Sequence, residues 1–224
     1  MMNSMRSMRR KKDLAIEGLT ARWYNRNTRK HRMKEMKEYA ALVRMDLKPG
    51  DTVLELAPGP GYLSIELAKM GNYKVVGVEI SKTFVDIARN NAKAAGVDVD
   101  FRQGSASDIR CPDGSFNAIV CTAAFKNFRE PVKALAEMYR VLKPGGTVLI
   151  VDMNRQATDA QVEELLGQMN TKGLEAMFLK LTFKYFLRRG AYTRAEFTEM
   201  LSVMEWRTFD IEEEGIGFRV WLKK

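Results

Sequence analysis

The sequence contains few of the residues that build metal centres, disulfide frameworks and hydrolytic sites. Its 224 residues include one histidine and two cysteines. Cys111 and Cys121 lack metal-ligand spacing, so we expect reduced thiols and no bound metal. A single histidine, His31, leaves no Ser/His/Asp or Cys/His arrangement that could activate a nucleophile. The composition therefore argues against a zinc site and against nucleophilic hydrolysis.

Long apolar runs are also missing. No run reaches the length of a bilayer span, and the N-terminus has no apolar signal core. An apolar content of 46% is nevertheless enough for one globular domain with a sizeable core. We therefore expect a cytoplasmic protein of a single domain plus an appendage, and the sequence leaves its oligomeric state open.

Acidic residues are scarce at the N-terminal end. The chain carries a net charge of +9, and residues 1–40 contribute twelve Lys/Arg against four Asp/Glu, so nearly all of the excess lies there. The pattern predicts a basic arm over residues 1–43, with two helices from Asp13 to about Val43. Such an arm can follow the phosphates of a nucleic acid, or it can simply be solvated.

The rest of the chain is organised around a short loop between an apolar run and a helical segment. Residues 53–56 favour a buried parallel strand, and residues 64–69 are helix formers. Gly59 and Gly61 fall where the strand passes into the helix, so a ligand can approach the backbone there. Taken alone, the loop could equally be an ordinary strand-to-helix turn.

A carboxylate follows this loop at a meaningful distance. Glu79 lies twenty positions after Gly59, at the end of a second apolar run. This spacing puts the carboxylate at the tip of the neighbouring strand, where it can accept hydrogen bonds from both hydroxyls of a ribose. The ribose could belong to NAD or to S-adenosylmethionine (SAM).

Three features of the loop favour SAM. Pro60 removes a backbone donor that a pyrophosphate would need, and Ser64 replaces the third glycine of G-x-G-x-x-G. Glu55 would repel a phosphate, whereas it suits the cationic α-amino group of a methionine moiety.

Residues from about 40 to 155 resemble the class I SAM-dependent methyltransferases. The resemblance is carried by the loop, by Gly77-Val78-Glu79-Ile80-Ser81, by Gly104-Ser105-Ala106 and by residues 139–146. Within it, residues 125–142 are similar to the ubiquinone/menaquinone-biosynthesis C-methyltransferases, because an aromatic, a basic residue and Asn precede the same helix. The sequence departs from the family pattern at Ala57, Ser105 and Asn117.

The resemblance implies an α/β fold with a seven-stranded Rossmann-like methyltransferase sheet. This sheet is mostly parallel, ends in a C-terminal antiparallel hairpin and has helices on both faces. The methyltransferase domain would span residues 44–224, with a helical insertion at about 155–192. The N-terminal arm would form a lid, because Ala21-Arg22-Trp23-Tyr24-Asn25 resembles the family's Ala-x-x-Tyr-Asp lid signature.

The resemblance also implies SAM as cofactor and S-adenosylhomocysteine as product. Ser105 and Ala106 correspond to the segment that holds the adenine. The predicted cofactor-binding residues are Glu55, Ala57, Pro58, Gly59, Gly61, Glu79, Ile80, Ser105, Ala106 and Thr122.

If SAM is bound, the methyl group is already activated, and alignment of an acceptor with exclusion of water can suffice for transfer. No general base is therefore assigned. Tyr24, His31 and Lys126 are candidates. The alternative is plain packing for Tyr24 and a solvated face for the other two.

The segment Gly173–Arg189 predicts an amphipathic helix rich in large apolar side chains and lined by Lys180, Lys184 and Arg188. Its basic stripe can lie on an anionic membrane or face water while the helix covers the acceptor pocket. We predict an apolar pocket formed by Tyr24, Phe125, Met177 and Phe178.

Three functional hypotheses follow. The first is methyl transfer from SAM to an apolar or aromatic small molecule, quinone-like or a secondary metabolite. The second is methylation of RNA, with the basic arm following the phosphates. The third is a SAM-binding protein whose chemistry is not methyl transfer.

Overall fold

The structure, a computed structural model, describes residues 15–168 and 188–224, with backbone only at Gln168. Most of the arm and the whole sheet lie within these ranges. Met177 and Phe178, two of the predicted pocket residues, lie outside them.

The described part of the chain forms one seven-stranded sheet, as predicted, in the order β3-β2-β1-β4-β5-β7-β6. Strands β1 to β5 run parallel, and β7 pairs antiparallel with both β5 and β6. The chain order reverses between β1 and β4, which opens a crevice at their carboxyl ends where ligands bind in such sheets. The strands are β1 (Thr52–Leu56), β2 (Lys74–Glu79), β3 (Asp100–Gln103), β4 (Phe116–Thr122), β5 (Leu142–Met153), β6 (Thr208–Glu214) and β7 (Gly217–Lys223).

Local sequence signals fix several helix ends. Ser81 accepts a hydrogen bond from the backbone N–H of Phe84 and so caps α4, and Gly96 ends that helix with a positive φ of 68°. Thr193 and Glu196 form a capping box at the start of α8. The described helices are α1 (Gly18–His31), α2 (Met33–Arg44), α3 (Tyr62–Met70), α4 (Lys82–Ala95), α5 (Pro131–Val141), α6 (Asp159–Gln168), α7 (Arg188–Gly190) and α8 (Arg194–Leu201), with a 3₁₀ turn at Phe125–Asn127.

Apolar side chains bury both faces of the sheet, as expected for an α/β fold. Helices α2, α3 and α4 cover one face, where residues such as Val53 and Phe101 form one cluster. Helices α5 and α8 cover the other, where Leu54, Leu56 and Phe197 belong to a second cluster. Adjacent residues of β1 thus point to opposite layers, because side chains alternate along a strand.

From the sequence we predict a third strand from Val97 and a fifth strand from Thr147, and both begin at other residues in the structure. β5 starts at Leu142 and not at Thr147, because Leu142 pairs with Phe116 and the turn after it pairs with the C-terminal residue. Gly145 N–H donates to the Lys224 carbonyl at 2.9 Å, and Lys224 N–H donates back to Gly146 at 3.2 Å. β3 starts at Asp100 and not at Val97.

Across the described ranges, no helix combines the length and the apolar content needed to cross a membrane.

Candidate active site

The loop between β1 and α3 holds three residues in the left-handed region of φ. These are Ala57 at 55°, Gly59 at 53° and Gly61 at 80°. A Cβ on Gly61 would lie 2.6 Å from the Phe101 ring, so this position admits only glycine. A Cβ on Gly59 would meet only Tyr24, at 4.0 Å. Glycine is therefore required at position 61 for close packing, whereas the backbone of Gly59 is accessible on the side that faces the arm.

Glu55 lies at the base of this loop and is 2% exposed. One carboxylate oxygen, Oε2, accepts hydrogen bonds from the hydroxyl and from the backbone N–H of Ser64, the latter at 2.9 Å. Among the described residues, no donor reaches its other oxygen. Burial raises the pKa of Glu55 to about 7, although the bonds from Ser64 oppose that rise. A cation beside this carboxylate would be strongly favoured.

Glu79 occupies the tip of β2, one strand away. Its Oε2 accepts from Gly59 N–H at 3.0 Å and its Oε1 accepts from Ser81 N–H at 2.9 Å. These two bonds fix the carboxylate and still leave each oxygen able to accept another hydrogen bond. Burial raises the pKa of Glu79 as well, against the effect of its backbone donors. Two buried carboxylates thus lie at neighbouring strand tips.

The arm covers the loop. The inner faces of α1 and α2 contribute Tyr24, Thr28 and Met36 to a cavity of about 40 Å³, and Arg32 joins them from the junction between the two helices. Its remaining lining residues belong to the sheet edge and the loop: Glu55, Ala57, Pro58, Gly59, Pro60, Tyr62 and Thr122.

Side-chain hydrogen bonds hold the arm in this position. Arg32 donates to the Tyr24 hydroxyl at 3.1 Å while it pairs with Glu35 at 2.7 Å. The Asn25 carbonyl oxygen accepts from the Tyr62 hydroxyl at 2.9 Å and from the Asn91 amide at 3.1 Å. Tyr24 is therefore oriented over the loop, and Asn25 ties α1 to α3 and α4.

A second set of contacts fixes the beginning of the arm. The Glu17 carboxylate accepts from the backbone N–H groups of Lys82 and Thr83, each at 3.0 Å, and from the Thr83 hydroxyl. Ser81 donates its hydroxyl to the Ile16 carbonyl at 2.7 Å. Since Ser81 also donates its N–H to Glu79, the arm is attached directly beside that carboxylate.

The carboxyl end of β4 completes the site. Ala123 has a positive φ of 55°, and strained backbone of this kind clusters at functional sites. Lys126 is buried, pairs with Asp152 at 2.9 Å and donates to the Ala123 carbonyl at 2.6 Å. The expectation that Lys126 could simply face solvent is therefore wrong, because its ammonium group ties β4 to β5.

Three comparisons show which known proteins the chain resembles. Residues 53–146 match a family model described as a methyltransferase domain. A demethylmenaquinone methyltransferase of Deinococcus radiodurans is 32% identical over 151 residues, which cover 63% of this chain and 57% of that protein. A 2-phytyl-1,4-naphthoquinone methyltransferase of Synechococcus elongatus is 36% identical over 112 residues, 48% of either chain. The chain thus spans about half the length of the curated relatives that it matches.

Solved structures agree on the fold. A SAM-dependent methyltransferase from Aquifex aeolicus superposes with a TM-score of 0.64 at 22% identity, over 88% of this chain and 92% of that one. The plantazolicin methyltransferase BpumL, solved with S-adenosylhomocysteine (SAH), gives 0.69 at 16% identity, over 91% and 88%. The chain therefore has the fold of these SAM-dependent methyltransferases, and its residues 53–146 match the methyltransferase domain.

SAM is the cofactor of the methyltransferases that the chain resembles, and the residues of the site fit it. The buried Glu55 carboxylate suits the cationic amino group of the methionine half, and Glu79 can accept from ribose hydroxyls. Gly59 leaves room for a ligand against the backbone. A dinucleotide phosphate would instead face two buried carboxylates and a proline without a donor.

The remaining predicted residues lie around this centre. Ile80 accepts at its carbonyl from the Gln103 amide at 3.2 Å, beside the tip of β2. Ser105 accepts at its hydroxyl from Ser107 N–H at 3.2 Å, and Ala106 packs against the core. These residues belong to the segment that we predict to hold the adenine. That role stays a prediction.

Phe125 and His31 lie apart from the cavity lining. Phe125 is 0% exposed and stacks on Phe197 with a ring-centre distance of 5.0 Å. It therefore shapes the sheet edge from within the core. His31 is half-buried in the last turn of α1.

Several residues at the site were not predicted from the sequence. Thr28 and Met36 line the cavity because they lie on the inner faces of α1 and α2, and Arg32 lines it from the junction between them. The available signal was helical spacing, since Tyr24, Thr28 and Arg32 recur every four residues. Asp152 carried only a weak signal, as a lone carboxylate at the end of an apolar strand.

Proposed function

We propose that this protein transfers the methyl group of SAM to an apolar or aromatic small molecule of the quinone class. The observation that carries the proposal is the pair of buried carboxylates at neighbouring strand tips, enclosed by an arm whose tyrosine lies over the glycine loop. The relatives from Deinococcus and Synechococcus are named as methyltransferases of demethylmenaquinone and of a phytylnaphthoquinone, which supports the class of acceptor.

SAM, when bound, supplies a methyl group activated by its positively charged sulfur. The role of the chain is then to hold the donor, align the acceptor and exclude water. Glu79 holds the ribose hydroxyls, Glu55 holds the ammonium group, and Gly59 lets the methionine half approach the backbone. The arm removes water from the site when it closes.

An aromatic acceptor can attack through a ring carbon that bears a hydrogen. The new bond to the methyl carbon then forms as the bond to sulfur breaks, and the ring proton must leave to restore the aromatic system. A reduced quinol supplies the electron pair for this attack better than the oxidised quinone does. Of Tyr24, His31 and Lys126, only Tyr24 lines the cavity, so its hydroxyl is the best candidate to direct that proton.

Release of SAH tests the proposal. The full chain should be incubated with SAM and a 2-alkyl-1,4-naphthoquinol that has a free ring carbon at position 3, kept reduced. We expect SAH to accumulate with a methylated ring product in equal amount, and the oxidised quinone to give much less.

Two outcomes would favour the other hypotheses. Methylation of RNA, and of no quinol, would assign the basic arm to a nucleic-acid substrate. SAM binding without methyl transfer to any acceptor would favour other chemistry. The latter has a structural parallel, since the [4+2]-cyclase SpnF shares the fold with a TM-score of 0.56 at 20% identity, over 84% of this chain and 80% of that one.

A further inference from the structure

The outer face of α1 is basic and partly apolar. Helical spacing places six exposed side chains on one arc, opposite the buried Ala21 and Thr28. No Asp or Glu occurs within α1. This outer face consists of Leu19, Arg22, Trp23, Arg26, Arg29 and Lys30.

Several arginines elsewhere on the molecule pair with carboxylates, unlike the cations of the outer face. Arg102, Arg140 and Arg219 each pair with a carboxylate within hydrogen-bonding distance. Within residues 15–168 and 188–224, no salt bridge involves a cation of the outer face. Their charge is therefore not neutralised within the described part of the protein and is available to an anionic partner.

Two large apolar side chains lie among these charges. Leu19 is 79% exposed and Trp23 is 48% exposed, one turn apart. Tryptophan prefers the interface between water and lipid, and basic helices with such groups lie in that interface. An exposed leucine would contribute nothing to binding the phosphate backbone of a nucleic acid. The combination fits an anionic lipid surface better than a nucleic acid.

The opposite face of the same helix covers the cofactor pocket. Tyr24 and Thr28 line the cavity while Trp23 points away from it. We propose that the outer face of α1 binds the surface of an anionic lipid bilayer, and that this contact presents the pocket to an acceptor dissolved in the bilayer. The second half of this statement rests on the proposed function, whereas the first half stands by itself.

Vesicle binding tests the charge contribution. The full chain is sedimented with vesicles of phosphatidylglycerol and phosphatidylcholine, and with vesicles of phosphatidylcholine alone. We expect binding to the anionic vesicles, and a loss of about 10- to 30-fold in Arg22→Gln/Arg26→Gln. The matched control, Lys133→Gln/Lys223→Gln, removes the same charge from α5 and β7 and should bind within about twofold of wild type.

A second pair of variants tests the apolar contribution. Trp23→Ser should lose the part of the binding that persists at high salt, because burial of the indole is not screened. Phe209→Ser, which removes an exposed aromatic from β6, should retain it. Retained binding of SAH by each variant establishes that it is folded.

The outcomes are separable. Equal vesicle binding by wild type and Arg22→Gln/Arg26→Gln, or tight binding of a single-stranded RNA oligomer with none to vesicles, would overturn the docking proposal. Neither result depends on an acceptor, so the proposed methyl transfer would be unaffected by them. Conversely, vesicle binding without any quinol methylation would leave the docking surface standing and refute only its link to the acceptor.

Discussion

At the scale of single residues, the role that we propose for Glu79 depends on how its carboxylate is held. Its carboxylate is fixed by the N–H groups of Gly59 and Ser81, so it does not need to reorganise to accept the ribose hydroxyls. A charge-assisted hydrogen bond of this kind contributes about 1.5–3 kcal/mol.

Glu79→Gln should therefore weaken SAH binding by roughly 10- to 100-fold. Calorimetric titration measures this, and Asp86→Asn, which changes an exposed carboxyl on α4, should bind like wild type. Equal affinity in wild type and Glu79→Gln would mean that the ribose lies elsewhere.

Glu55 makes stability depend on pH in an unusual direction. Its pKa is raised from 4.5 in a free side chain to about 7 in the fold by burial, so the folded state holds a proton that the unfolded state loses earlier. Stability contributed by the protonated form is complete below pH 4.5 and falls as pH rises to about 7. The total loss is on the order of 3 kcal/mol.

Urea denaturation at pH 5 and pH 7.5 tests this assignment, with Glu55→Gln as the comparison. The wild type should lose more stability between the two pH values than the variant does, since glutamine does not ionise. Parallel pH profiles for the two proteins would contradict the assignment. SAH binding near pH 6.5 should also release protons, because the ammonium group of SAH favours the ionised form of Glu55.

At the scale of elements, the buried pair of Lys126 and Asp152 joins the ends of β4 and β5. Lys126 also holds the carbonyl of the strained Ala123, next to Thr122 in the cavity wall. Removing one partner leaves an uncompensated buried charge, which costs about 3–5 kcal/mol.

Lys126→Met should thus be strongly destabilised in urea denaturation, and Lys126→Met/Asp152→Asn should recover much of that loss. If Lys126→Met is as stable as wild type, the pair does not stabilise the ends of β4 and β5. If the double variant is stable but transfers methyl groups slowly with unchanged SAH affinity, the pair positions the edge for the acceptor.

At the scale of the whole molecule, the sequence predicted what is local and periodic. The glycine loop, the distance to Glu79 and the closing hairpin all depend on neighbouring residues or on strand and helix repeats. They could be predicted because each has its own sequence signal, and the family resemblance supplied the sheet.

The contacts between distant segments could not be predicted in this way. Asn25 meets Tyr62 and Asn91, 37 and 66 positions away. Lys126 meets Asp152 across 26 positions, and Phe125 meets Phe197 on a helix near the far end of the chain. Each side chain has many equivalent partners in the sequence, and only the packed fold selects one.

Closure of the arm over the loop is such a long-range property, and it has a kinetic consequence. The cavity of about 40 Å³ is far below the roughly 300 Å³ or more of typical ligand sites, so we expect SAM or SAH to enter only when the arm opens. The rate of association should then be proportional to the fraction of molecules that are open.

Asn25→Ala removes the acceptor that ties α1 to α3 and α4, at a cost to the closed state of about 1–2 kcal/mol. The open fraction should rise by roughly 5- to 30-fold, so stopped-flow measurement should show SAH associating faster by a similar factor and dissociating faster too. Lys34→Ala, on the exposed side of α2, should leave both rates unchanged.

Hydrogen exchange across residues 18–40 should slow when SAH is added to the wild type and should start from a faster rate in Asn25→Ala. If the association rates of wild type and Asn25→Ala are the same, the arm does not control entry, and its contacts with the loop serve only to hold the bound cofactor.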